Sequence, residues 1–339
     1  MEGPGPLLSL PSRPRRTRFL HGIGGFVARR MLFGVATLFV ASIIIFAATQ
    51  ALPGDAARSI LGRNATPDSL AALRKQLGLD RPVLDQYTSW IGGVFRGDLG
   101  DSLDASRPVT SVIGEPIGYS AFLMLLAGVI SIPLAVVLGA ASARRRDGPF
   151  DHAMSVITLA LAALPEFIVG IALVVLFATT VFHWLPGVTI IDPGTPPWTH
   201  PRELVLPTIT LAIAVTPYVA RIMRASMVEI LESDYVEMAR LKGLSERLVL
   251  WRHAVPNGIA PTFQVIAINL AYLAGGIVVV ESVFNYPGIG KAFVDAVHGR
   301  DMPVVQALSL MIAALYVVLN LLADVATILV SPRLRTSLK

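Results

Sequence analysis

Cysteine is absent from this sequence. That excludes disulfides, thiolate-bound metals and cysteine nucleophiles together. Charge is scarce as well: 15% of the residues are Asp, Glu, Lys or Arg, against about 25% in a soluble domain. Histidine is sparse and scattered, at His21, His152, His183, His200, His253 and His298, and no H-E-x-x-H or similar ligand spacing occurs. No catalytic pair, cofactor-binding residue or metal set can be assembled from such a list. Apolar residues dominate instead, making up 54% of the 339 residues, and the mean hydropathy is +0.65. A chain this apolar cannot cover its surface in water, so it reads as a lipid-embedded protein. The net charge of +5 does not point to nucleic acid, because the basic residues cluster beside apolar runs.

A bilayer core about 30 Å thick needs about 20 apolar residues of helix. Six stretches meet this, at roughly 32–52, 119–141, 153–183, 204–220, 259–281 and 305–331. The sequence therefore predicts an all-α membrane protein with six transmembrane helices. The third stretch is long enough to tilt or run past the membrane. The fourth is the weakest, diluted by Thr208, Thr210, Thr216 and two prolines, Pro207 and Pro217, which are expected to shape it. Lys and Arg concentrate in alternate segments. These are the N-terminal tail (Arg13, Arg15, Arg16, Arg18, Arg29, Arg30), Arg144 to Arg146, the loop holding Arg221, Arg224, Arg240, Lys242, Arg247 and Arg252, and the C-terminal tail with Arg333, Arg335 and Lys339. The positive-inside rule places these segments, and both termini, in the cytosol. The first apolar run is too long for the core of a signal peptide and no A-x-A site follows it, so it reads as a retained span. The tail, residues 1–30, reads as a basic and largely disordered segment, and 31–339 as the membrane domain.

Two loops carry structure of their own. In the external loop, 53–118, Thr66-Pro67-Asp68 signals a helix start and Gly78 a stop. A second helix is predicted from Pro82 to Arg96, with Leu84, Tyr87, Ile91 and Val94 at helical spacing, flanked by Trp90 and Phe95. It reads either as packing on the ends of the spans or as a docking surface for an external partner. In the cytosolic loop, 221–258, Asp234 and Glu237 have the spacing of an acidic capping box. Arg240 and Lys242 suit the C-terminal dipole, and Gly243 suits the left-handed position beyond it. Ser245 can cap a second helix that Pro256-Asn257-Gly258 ends. The two short helices and their elbow suit mechanical transmission, or serve as a plain amphipathic connector.

An ionisable group within a span is a functional candidate. Glu166, in Leu164-Pro165-Glu166-Phe167, reads as mid-span beside a proline kink, either lining a pathway or pairing with a neighbouring helix. Asn269 reads as lining the pathway or bonding across helices. Asn320 and Asp324 read as packing groups or partners of a cytosolic arginine.

Glu237-Met238-Ala239, Gly243 and His253-Ala254-Val255-Pro256 match the spacing of the EAA loop of binding-protein-dependent ABC importer permeases. The chain resembles that family, and within it the dipeptide/oligopeptide/nickel group. Leu52-Pro53-Gly54-Asp55, Leu77 to Pro82, Arg96 to Gly100, Arg221 to Met227, Asp234 to Gly243, and Glu281 to Phe284 with Pro287 to Gly290 agree in register. Met238 and His253 depart from the usual residues of the loop. The resemblance implies the type I importer permease fold in a bacterial inner membrane. It implies that this chain forms half of a translocation pathway for peptides or, alternatively, for nickel chelates or other small solutes. The implied partners are a homologous second permease in a heterodimer, two cytosolic ATPase subunits or domains carrying ATP and magnesium, and an external substrate-binding protein. Asp234, Glu237, Ala239, Gly243 and Pro256 would then couple to the ATPase, and Glu166 and Asn269 would line the pathway. The chain itself has no phosphate loop. In Tyr286 to Lys291, Asn285 stands where the first glycine is needed and Ala292 where Ser or Thr is needed. An ion-coupled transporter or channel is the reading from another class, but no clear inverted repeat supports it.

Overall fold

Hydrocarbon offers no hydrogen-bond partner to a backbone amide, so a lipid-embedded chain folds as helices or as a closed barrel. This computed structural model describes residues 16–51, 56–61, 65–76 and 78–330, and every regular element among them is a helix. Residues 1–15, Leu52-Pro53-Gly54-Asp55, Leu77 and the basic C-terminal residues Arg333, Arg335 and Lys339 lie outside the described residues.

The first span is α1 (Arg16–Ala51). It begins inside the stretch read as a disordered tail. Three short helices follow, α2 (Ala56–Leu61), α3 (Pro67–Gln76) and α4 (Val83–Phe95). The α3 boundaries are the expected ones. The Thr66 and Ser69 side chains each accept the other's backbone N–H, at 3.2 and 2.9 Å. At the other end Gly78 adopts φ +66°, and the Leu79 N–H closes back on the Arg74 carbonyl at 3.0 Å. In α4 the inward residues are Tyr87 and Trp90, which pack on Phe46 of α1 at ring separations of 5.4 and 5.8 Å. The Tyr87 hydroxyl meets Ser42 at 2.9 Å. Leu84 and Phe95, the outer members of the predicted apolar set, point away and are exposed.

The bundle core is α5 (Val109–Arg144) against α8 (Pro201–Leu231). Small residues let the two backbones meet. A side chain on Gly139 would lie 2.6 Å from the Ala220 carbonyl oxygen. The span judged weakest from sequence is an unbroken helix through Pro207 and Pro217, and it is both the least apolar and the most buried of the four long spanning helices. Its threonines lower hydropathy because they face protein: Thr208, Thr210 and Thr216 are all buried.

The third stretch differs more. It is two helices, α6 (Pro149–Ala163) and α7 (Glu166–Val174), meeting at 101°. Pro165 cannot donate to the preceding turn, and its ring disfavours helical geometry at Leu164, which takes ψ 129°. The expected kink is therefore a complete break. After α8 come α9 (Asp234–Leu241), α10 (Glu246–Leu248), α11 (Val255–Phe284), α12 (Ile289–Gly299) and α13 (Met302–Val330). α11 bends by 45° between Leu273 and Gly275. Among the described residues four helices are long and apolar enough to cross a membrane unaided, and six spans result when each bent pair counts as one.

Ion pairs tie the arginine-rich end of the bundle. Arg30 of α1 holds Asp324 of α13 at 3.0 Å, the partner class expected for that acid, while Asn320 bonds back to the Tyr316 carbonyl. Arg146, beyond α5, reaches Glu232, beyond α8.

Candidate functional site

The loop read from sequence as a coupling element is capped one residue earlier than predicted. Ser233, at φ −79° and ψ 148°, is the N-cap of α9, and its carbonyl accepts the N–H groups of Val236 and Glu237 at 3.0 and 3.1 Å. Asp234 is thus the first helical residue and Glu237 the fourth, so the two do not form the expected capping box. They lie instead as acids in the first turn, where the helix dipole favours negative charge.

The C-terminal end agrees with expectation. Gly243 has φ +78°. Its N–H donates to the Arg240 carbonyl at 2.9 Å, and the Leu244 N–H reaches the Ala239 carbonyl at 3.3 Å. This is a Schellman closure, which needs a residue at home in the left-handed region. Ala239 is also the seat on which the loop packs: with Val236 and Val249 it forms a small buried cluster under Leu244. Arg240 locks the elbow, its Nε donating to Glu246 at 2.9 Å and its Nη1 to the Leu231 carbonyl at 3.2 Å.

Pro256 does not end the second helix. α10 passes through wider, π-helical turns at Val249–Ala254 directly into α11, with Pro256 and Asn257 in its first turn. A proline in a helix clashes with the carbonyl four residues before it, and the widened turn ahead of Pro256 relieves that clash. Asn257 donates to the His253 carbonyl at 2.7 Å. The elbow is thereby welded to a spanning helix. Tyr235, Met238 and Leu241, at helical spacing on the outer face of α9, remain exposed at 46%, 58% and 75%, beside exposed Glu237 and Asp234.

Within the membrane region, Glu166 begins α7 immediately after the break. Its carboxylate lies against α11: a side chain on Gly276 would be 3.0 Å from Oε1 and 3.9 Å from the Tyr272 ring. Asn269 is buried, and its amide donates to the Val265 carbonyl of its own helix at 2.8 Å rather than across to another.

Three acids with structural weight were missed from sequence. Glu281 is fully buried near the end of α11. It accepts from Ser120 of α5 and from the Gly290 N–H at 2.6 Å, at the start of α12. Gly288 has no side chain because Glu281 occupies that space. Tyr286 closes the same knot, its hydroxyl donating to the Tyr119 carbonyl at 2.9 Å; burial, then the neighbouring Glu281 charge, pushes that hydroxyl above its ordinary range. The motif Glu281 to Gly290 was visible, but the acid was not counted as intramembrane. Asp301 similarly fastens the 102–104 turn to α13. Asp151 pairs with Arg224 beside Ser142. The signal for such acids is an isolated carboxylate at the edge of an apolar run.

A cavity of about 580 Å³ opens at the end of the bundle opposite the Arg30, Arg146 and Arg224 ion pairs, lined in part by Trp90, Gln86, Arg81, Arg300 and Gln306. Among the described residues no group of three or more His, Asp or Glu side chains is arranged to hold a metal.

Residues 115–336 match the family model "Binding-protein-dependent transport system inner membrane component", and residues 24–112 match "Binding-prot-dependent transport system membrane comp, N-term". A probable peptide ABC transporter permease protein, y4tP of Sinorhizobium fredii, is 37% identical over 92% of this chain and 100% of its own length. A putative peptide transport system permease protein of Brucella abortus is 35% identical over 91% of this chain and 98% of its own. The glutathione transport system permease protein GsiC of Escherichia coli K12 is 34% identical over the same shares, 91% and 98%.

Proposed function

Because the chain belongs to the binding-protein-dependent transport system inner membrane components, and is a multi-pass permease of the type I importer family, we propose that it forms half of a translocation pathway for peptides. The relatives named as peptide permeases support that substrate class over nickel chelates. The other half is a similar second permease. ATP and magnesium belong to two ATPase subunits or domains on the side of α9, which the arginine distribution assigns to the cytosol along with both termini. An external binding protein delivers the solute at the opposite end, where Leu84 and Phe95 of α4 are exposed.

The observation that carries this reading is the coupling segment. α9 presents an apolar outer face and is closed by a Schellman elbow that Arg240 ties to Glu246 of α10, and α10 runs through π-helical turns directly into α11. A force applied to α9 is therefore delivered to a spanning helix. The carboxylates of Asp234 and Glu237, freed from capping each other, are available to a basic partner.

The test is uptake into membrane vesicles containing this chain, its partner permease, the ATPases and the binding protein. Uptake of a labelled tripeptide should need ATP and persist when ionophores collapse proton and sodium gradients. Uptake by this chain alone without ATP would refute the importer reading.

A further inference from the structure

Tyrosine is usually found where membrane meets water, since its hydroxyl needs a polar partner. Here Tyr218, Tyr272 and Tyr316 stand near the centres of α8, α11 and α13. They are 42%, 47% and 41% exposed, so none belongs to the core of this chain. The Glu166 carboxylate and the Tyr272 ring meet at Gly276, 3.0 and 3.9 Å from where its side chain would begin, and Tyr218 and Tyr316 act electrostatically on Tyr272. Tyr218 also donates to the Ala162 carbonyl at 3.2 Å, in the turn before the α6–α7 break. Four helices thus bring one acid and three phenols to one level.

Both discontinuities of the bundle meet at that level. The break at Pro165 places Glu166 against Gly276, next to the bend in α11. Irregular backbone in a membrane is tolerated where it is enclosed by protein or lines a water-filled path, and broken helices near the midplane mark solute sites in transporters. No lysine or arginine among the described residues forms an ion pair with Glu166. A carboxylate turned toward lipid at this depth is strongly disfavoured. The half-open face therefore looks onto something polar and, by charge, cationic.

We infer that Glu166, Tyr218, Tyr272 and Tyr316 form a cation-recognising station on the translocation face, which receives the ammonium group of the transported solute. The carboxylate supplies charge, and the phenol rings supply the quadrupole that attracts an ammonium ion. For a peptide the group is the free amino terminus. That part rests on the peptide-importer reading above. The permease then contributes to selection, after the binding protein has released its ligand.

Two measurements on the reconstituted transporter test this. The native chain lacks cysteine, so Tyr316→Cys, with Tyr218→Cys as a second reporter, gives a single reactive thiol on this chain, read by its mass. The probes are a cationic trimethylammonium-ethyl and an anionic sulfonato-ethyl methanethiosulfonate, with rates normalised to Ser89→Cys on the exposed face of α4. The cationic reagent should be favoured about tenfold, and Glu166→Gln should abolish the preference. No labelling of either reporter, or a preference that survives Glu166→Gln, overturns the station.

The second measurement is uptake of trialanine and of N-acetyl-trialanine. Glu166→Gln should lower uptake of the free peptide about tenfold relative to the acetylated one, with Glu166→Asp retaining most of it. Equal loss of both peptides overturns the assignment to the amino group. Absence of ATP-driven peptide uptake by the unmodified transporter overturns the peptide reading instead, and the labelling result then decides the station by itself.

Discussion

Arg224 and Asp151 meet in a bidentate pair, with Nε and Nη2 of the arginine each 2.5 Å from a carboxylate oxygen. Asp151 also accepts from Ser142 of α5 and from the Asp147 N–H. One carboxylate thus joins α5, α6 and α8 at the arginine-rich end, where α8 leads into α9. The two partners are unequal: the Asp151 side chain is 3% exposed, the Arg224 side chain 31%.

That inequality gives the first prediction. Arg224→Ala leaves a buried carboxylate without its counter-charge and should cost about 3 kcal/mol. Asp151→Asn leaves a guanidinium that can turn toward water and should cost about 1 to 2 kcal/mol. Thermal unfolding of the purified chain in detergent reads the order. A larger loss in Asp151→Asn would mean that the arginine, not the acid, is the stranded charge.

The Glu281 knot gives the second. Glu281→Ala should cost about 2 kcal/mol, because the buried Gly290 N–H and the Ser120 hydroxyl lose their acceptor. Glu281→Gln keeps an acceptor and should cost less. Gly288→Ala and Gly290→Ala meet the Glu281 side chain and, for Gly290, the Val278 backbone. Both should reduce the folded yield more than Gly275→Ala, where nothing lies within 4 Å. Size-exclusion profiles of the five variants decide this. Equal profiles would show that the knot yields freely.

These two sites also mark where sequence reading stops. The apolar runs located the four long spanning helices and both bent pairs, and the caps at Thr66 and Gly243 placed helix ends, because both signals are local. Asp151, Glu281 and Asp301 were passed over because their partners are 73, 161 and 199 residues away in the chain. Pro165 was legible as a disturbance, but the packing of α7 on α8 and α11 beyond a 101° break was not. The low hydropathy of α8 looked like weakness because a single sequence cannot separate a lipid-facing threonine from a protein-facing one. At α9 the spacing of Asp234 and Glu237 suggested a box, yet Ser233 one position earlier takes the cap. Pro256 read as a terminator because sequence does not announce the π-helical turns that accommodate it.

Gly243 supports a third prediction. No atom lies within 4 Å of a side chain placed there, so only its left-handed backbone resists substitution. Gly243→Ala should cost about 1 to 2 kcal/mol locally, and Gly243→Val more, because a β-branched residue is especially strained at positive φ. Insertion and assembly should survive, since the elbow sits outside the spans. In vesicles the transporter carrying Gly243→Val should hydrolyse ATP, at its ATPase subunits, without matching uptake. Normal uptake per ATP in that variant would remove the elbow from the coupling path.

The outer face of α9 supports the last. Val236 and Ala239 turn inward while Tyr235, Met238 and Leu241 stay exposed, an apolar strip that a water-facing connector has no reason to keep. Leu241→Asp alters a residue 75% exposed and should leave the fold within about 0.5 kcal/mol of the parent. If α9 seats in a cleft of an ATPase subunit, the new charge must be desolvated without a partner. Association should then weaken by at least about tenfold, from a penalty of about 1.4 kcal/mol or more. Co-purification of the ATPase with this chain measures the loss, with Leu84→Asp, at the opposite end of the bundle, as the control. Unchanged recovery in Leu241→Asp would place the ATPase contact elsewhere on the loop, and loss in both variants would indicate a general failure of assembly.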